Sequence, residues 1–146
     1  MIVITDTSGL PATLDSAHPE HRAANQAIMA AGLLDMSPLP LAELDHVATR
    51  ELGREAALSA VDDLRRWMSR ARVVLPEITQ DHAGAARSVR VRHRALDLGL
   101  ADAMNVALAA AYDTDAILTL DRRDFRAVRP LGRHKAFRVL PDDLPL

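Results

Sequence analysis

The chain has no cysteine among its 146 residues. Disulfides, thiolate zinc sites and cysteine nucleophiles are therefore all excluded. Aromatics are scarce, with two Phe, one Tyr and one Trp, so a platform on which nucleic-acid bases stack is poorly supplied. Lysine is nearly missing as well: of 18 basic residues only Lys135 is not arginine. No segment approaches the roughly 20 apolar residues that span a bilayer, and Met1 is followed directly by Ile-Val-Ile, without a basic leader. A cytoplasmic protein with no membrane partner is the expectation. The six histidines show no HExxH or paired-ligand spacing, and none is assigned to a metal.

What is present is an ordinary globular balance, 49% hydrophobic with a net charge of -2. The length suits one domain over 1–146. The continuous β-branched run Ile2–Ile4 reads as a buried strand, Ala116–Leu120 as another, and short apolar stretches at Leu33–Met36, Val73–Leu75 and Phe137–Leu140 as further strands. Between them the periodicity predicts a brief helix capped by Thr7 or Ser8, then helices over His18–Ala31 with Gly32 as stop, Leu41–Leu52, Arg54–Arg70 and Thr79–Arg94. The clearest helix carries Leu100, Ala103, Met104, Ala107, Leu108 and Ala111 on one stripe. Strands alternating with helices predict an α/β fold whose parallel sheet is covered on both faces.

Four acids stand at the edges of these elements: Asp6 in IVITDTSG, Glu43 in PLPLAELDHV, Asp102 in LGLADAMNVALA and Asp121 in AILTLDRRDF. In an open parallel sheet, ligands bind beyond the carboxyl ends of the strands, and Asp6 and Asp121 lie just past such ends. Asp102 falls in the first turn of its helix, on the side shared with Asn105. Singly, each acid has a plain reading: a turn residue, a helix-start acid, an N-cap, a solvated helix position. Together they suggest a divalent-cation site, because two carboxylates 4 Å apart repel by about 4 kcal/mol at an effective dielectric near 20. Mg²⁺ or Mn²⁺, hard cations that accept carboxylate and water oxygens, would relieve that conflict.

The strings DTSGL, LAELD, GLADAMNVALA and ILTLDRRDF followed by RPLG carry a resemblance over essentially the full length. The chain resembles the PIN-domain ribonucleases, in particular the VapC-type toxins of toxin–antitoxin pairs. The resemblance implies a three-layer α/β/α sandwich around a parallel sheet of four or five strands. It implies that Asp6, Glu43, Asp102 and Asp121 form an acidic quartet using Mg²⁺, or Mn²⁺, to hydrolyse RNA to 5′-phosphate and 3′-hydroxyl ends. Ser8 and Asn105 fall where the family places supporting polar groups, and Asp124 is a further acid nearby. It also implies a homodimer and a small VapB-type antitoxin that blocks the acidic cleft, in a heterotetramer or larger assembly. Operator DNA would be contacted only through that antitoxin. Two departures concern the first loop: Thr5 stands where the family has an apolar residue, and Gly9-Leu10-Pro11-Ala12-Thr13 replaces the usual aliphatic continuation.

Arg87, Arg90 and Arg94 form one helical stripe, with Arg92 and His93 adjacent. The stripe reads either as a track for a phosphate backbone or as a solvated face. Arg122 and Arg123 beside Asp121 read as phosphate contacts or as partners of neighbouring acids. A non-catalytic PIN-fold module acting through antitoxin or RNA contacts is the alternative function. An aspartate-nucleophile phosphatase would require a second Asp where Ser8 stands.

Overall fold

The computed structural model describes residues 1–145. Five strands, β1 (Ile2–Thr5), β2 (Leu33–Asp35), β3 (Val73–Val74), β4 (Ala116–Leu118) and β5 (Arg138–Leu140), form one sheet in the order β3-β2-β1-β4-β5. Every pairing is parallel. The helices are α1 (Gly9–Leu14), α2 (His21–Ala30), α3 (Pro38–Leu52), α4 (Arg54–Ser69), α5 (Gln80–Arg92), α6 (Leu100–Ala111) and α7 (Arg122–Ala127).

Strand alternation sorts the core into two layers. Val3, Leu34, Val73, Ala116, Leu118 and Leu140 pack with Leu10, Ile28, Leu44 and Leu64 from α1 to α4. Ile4, Ile117 and Val139 face the other way, onto Ala86 and Val89 of α5, the body of α6, and Phe125 of α7. The expected α/β/α sandwich with a parallel sheet is thus the architecture. The chain builds β1, β2 and β3 outward in one direction and then returns to lay β4 against the free side of β1. The order reverses between β1 and β4, which is where such sheets open a crevice for ligands.

Several boundaries differ from the periodicity, each for a local reason. The second helix begins at His21 rather than His18. Residues 15–20 instead form turns, in which the His18 amide donates to Asp15 O and the Glu20 amide to His18 Nδ1. Gly32 does not cap that helix: Ala31 is already extended, and the Gly32 amide donates to Met1 O at the start of the sheet. The third helix starts three residues early, because Ser37 accepts from the Leu39 amide and Pro38 occupies the first turn. In α6 the expected stripe holds only in the middle. Leu100 and Ala111 are exposed, whereas Asn105, Val106 and Ala109 are buried off the stripe. The Ala-rich surface lets both the sheet and α5 approach closely, so the helix is enclosed over Ala103–Ala109.

One glycine is dictated by space. A Cβ on Gly9 would lie 2.8 Å from Leu118 O and 3.0 Å from Leu118 Cγ. The start of α1 therefore rests directly on the end of β4, and it is glycine that allows the first loop to sit there. Gly9→Ala should cost about 1–3 kcal/mol, read as a lower urea midpoint. An unchanged midpoint would mean that the loop moves freely.

Candidate active site

The crevice between β1 and β4 is closed by hydroxyls. The Asp6 amide donates to Leu118 O at 2.9 Å, fixing the strand end. Asp6 is buried, and its Oδ2 accepts from Ser8 Oγ at 2.9 Å and Thr119 Oγ1 at 2.8 Å. Its Oδ1 accepts from Asn105 Nδ2 at 3.2 Å, a bond from the loop after β1 to α6 across 99 residues. Burial raises the Asp6 pKa above the ordinary carboxylate value, and the bonds from Thr119 and Ser8 only partly offset this.

Of the two expected caps of α1, Thr7 and Ser8, it is Ser8 that stands at the N-cap position, but its side chain makes no cap bond. Its hydroxyl instead donates to Asp6 and accepts from the Leu120 amide at 2.9 Å. Thr119 accepts in turn from the Asp121 amide at 3.0 Å. Each hydroxyl has one proton and directs it at Asp6, so the loops after β1 and β4 are locked to each other through that carboxylate.

The remaining acids surround it. Asp121 is the N-cap of α7, and its side chain accepts from the Asp124 amide at 3.3 Å. Glu43 is on the exposed face of α3, and its Oε2 accepts from Thr7 Oγ1 at 2.7 Å, which ties it to the same loop. Asp102, in the first turn of α6, accepts from the Gly99 amide at 3.3 Å. Its pKa is raised to about 6, first by burial and then by the negative charges of Asp6, Asp121 and Glu43. The four acids predicted from sequence therefore share one electrostatic neighbourhood. Asp124 contributes a backbone amide there.

Among the described residues, no three carboxylates or imidazoles stand close enough together to ligate one ion as they are placed. The donor set still suits a hard cation. It offers carboxylates and, on Asn105, a buried Oδ1 that has no hydrogen-bond partner. Mg²⁺ commonly takes one or two carboxylates and keeps several waters, so it does not require three protein ligands on one ion.

Residues 3–130 match the family described as PIN domain. The chain belongs to the PIN-domain family. It is 41% identical over 142 residues to Ribonuclease VapC26 of Mycobacterium tuberculosis (strain ATCC 25618 / H37Rv), a match covering 95% of this chain and all of that protein. Among solved structures, M. tuberculosis VapC20, a sarcin–ricin loop cleaving toxin, superposes on this PIN domain with a TM-score of 0.71 at 20% identity. That match covers 84% of this chain and 92% of VapC20. VapBC2 from Rickettsia felis, bound to a DNA fragment from its promoter, gives 0.69 at 15% identity over 95% of this chain and 98% of that one. At such identities the structures show the shared fold.

Around the acids of this PIN domain, two threonines carry more than the sequence suggested. Thr119 joins Asp6 to the Asp121 loop, and Thr7 holds Glu43. Both lie within two residues of an assigned acid, which is the signal that would have found them. Thr5, the departure before Asp6, is fully buried in β1 with its hydroxyl unpartnered. Arg122 pairs with Glu20 at 2.7 Å and Asp142 at 2.6 Å, which decides its two readings in favour of an ion pair. Arg87, Arg90 and Arg94 all line one open cleft of about 390 Å³ with Asp97, Leu98 and Leu100, at the mouth of α6. No helix among the described residues is long and apolar enough to cross a membrane.

Proposed function

We propose that residues 1–146 act as one PIN domain with metal-dependent endoribonuclease activity, the toxin of a toxin–antitoxin pair. The observation that carries this reading is the convergence of Asp6, Glu43, Asp102 and Asp121 on one crevice, where three of them raise the pKa of the fourth. Asp6, Asp102 and Glu43 would hold Mg²⁺ or Mn²⁺, directly or through water, with Asp121 completing the site. The bound ion supplies an acidified water for in-line attack and neutralises charge gathering on the phosphate. Asn105, Ser8 and Thr119 keep the Asp6 carboxylate in one orientation. Asp121, anchored as a helix cap, orients the attacking water. Arg87 and Arg94, in the cleft beside the start of α6, receive the RNA backbone.

The 41% identity to a named ribonuclease over nearly the whole chain supports this substrate class. The partner is a small antitoxin and the toxin is a homodimer, as the family resemblance implies; DNA is reached through the antitoxin, in the cytoplasm. A mostly apolar groove of about 380 Å³ between α1, α3 and α4, lined by Leu14, Leu44, Val47, Ala48 and Leu52, offers a helical antitoxin segment a surface to cover. The alternative reading is a non-catalytic module; Mn²⁺ titration separates the two.

Sequencing of RNA 5′ ends after induction tests activity and target together. Wild type should produce new 5′-phosphate ends at a restricted set of sites, and Asp6→Asn should produce none. Equal cleavage by the two proteins would overturn the assignment of the crevice.

A further inference from the structure

The three arginines of the stripe are not equivalent. Arg90 Nε donates to Leu98 O at 3.0 Å, joining α5 to the loop before α6. Leu98 O and the Gly99 N–H belong to one peptide group, and that N–H donates to Asp102 Oδ2 at 3.3 Å. A single peptide plane therefore has a guanidinium on its carbonyl and a carboxylate of the crevice on its amide. Leu98 is buried, which fixes the plane. A cationic donor on the carbonyl polarises the peptide and strengthens its N–H as a donor, because chained hydrogen bonds reinforce one another. Arg87 and Arg94 make no such bond, and neither has a carboxylate within ion-pair distance among the described residues.

We propose that Arg90 is a positioning residue that sets the Asp102 carboxylate through the Leu98–Gly99 peptide, leaving Arg87 and Arg94 as the arginines that meet phosphate. The kinetic consequences rest on the ribonuclease reading; the geometry does not. Gly99 has φ -72°, which proline matches, so Gly99→Pro deletes the N–H without changing the φ of that residue. Gly99→Ala keeps the N–H, and its Cβ meets only Asp102 Oδ2 at an ordinary 3.7 Å.

The test uses the full chain, with Mn²⁺ as the metal probe followed by electron paramagnetic resonance in the absence of RNA. Arg90→Gln should weaken Mn²⁺ binding about tenfold, in the range for outer partners of metal ligands. Arg90→Lys should recover part of it. Gly99→Pro should fall below Gly99→Ala by a similar factor, and Arg90→Gln with Gly99→Pro should be no worse than either alone. In NMR, the Gly99 amide proton should move upfield in Arg90→Gln and stay in place in Arg87→Gln. Binding of a single-stranded RNA in EDTA should divide the stripe the other way. Arg87→Gln with Arg94→Gln should reduce the salt slope by about 1.4, while Arg90→Gln leaves slope and affinity alone and lowers kcat rather than raising KM.

Loss of RNA affinity and slope in Arg90→Gln, with Mn²⁺ binding intact, would make Arg90 a third phosphate contact and overturn the proposal. So would multiplicative losses in the double variant, or an unmoved Gly99 amide. Should Arg90→Gln fail to fold, the Gly99 pair decides alone. A wild type that binds Mn²⁺ but cuts no RNA refutes the ribonuclease reading without touching this one.

Discussion

Asp102→Asn should lower RNA cleavage about 10³-fold or more, the scale for losing a group that organises transition-state charge, while making the protein more stable at pH 7. The two effects share one cause. In the folded protein Asp102 sits at about 6 because burial and three neighbouring acids oppose its charge; in the unfolded chain it returns to 3.8. A raised folded value means that folding is favoured by protonation: the benefit is complete below about 4 and is lost as pH rises through 6. At pH 7 the wild type therefore carries the full penalty of the charged form, and the amide does not. Because Asp102 is partly exposed, solvent screening limits the gain to about 1–2 kcal/mol. Urea midpoints at pH 7 without metal, beside cleavage rates with Mg²⁺, read both effects. Lost activity together with a lower midpoint would mean that the substitution damaged the fold, and the assignment of Asp102 would lose its support. Added Mg²⁺ should close the stability gap, since a cation relieves the same repulsion.

Much of this was legible because strand ends and helix starts are local events. Asp6 could be placed because Ile2–Ile4 is a continuous β-branched run, and Asp102 because Gly99 and the Ala-rich helix after it announce a helix start. That the acids share one crevice follows from the strand order, in which β4 returns to the side of β1. The sequence pattern allows that order and does not dictate it, and the family resemblance supplied the expectation. Ser8 looked like a cap because caps are recognised by position; its hydroxyl was drawn away by a carboxylate two residues before it and by the Leu120 amide from the far end of the chain. The arginine stripe was legible as a stripe. Its division was not, because the Arg90 bond to Leu98 depends on how the chain turns between two helices. Asp35 was legible only in part. The strand reading of Leu33–Met36 contains it, but its enclosure follows from the register with Ile4 and Val74, which the sequence pattern does not dictate.

Asp35→Val should stabilise the protein by about 2–3 kcal/mol at pH 7 and above, with RNA cleavage unchanged. Asp35 is fully buried, on the Ile4 face of the sheet, and neither carboxylate oxygen has a hydrogen bond of acceptable geometry. Its pKa is raised from 3.8 to about 6 by burial; Tyr112, just past the end of α6, and His82 of α5 pull the other way without overcoming it. An unpartnered buried carboxylate opposes folding whenever it is charged. The penalty is full above pH 6, shrinks as the folded protein takes up a proton between about 6 and 4, and vanishes below 3.8. Valine is a strand former of similar size and carries no polar atoms to satisfy. The urea midpoints of wild type and variant should therefore diverge as pH rises from 4 to 7, with the variant lacking this part of the slope. Parallel curves would show that Asp35 is satisfied in solution, by water or by Tyr112, and that its burial carries no cost.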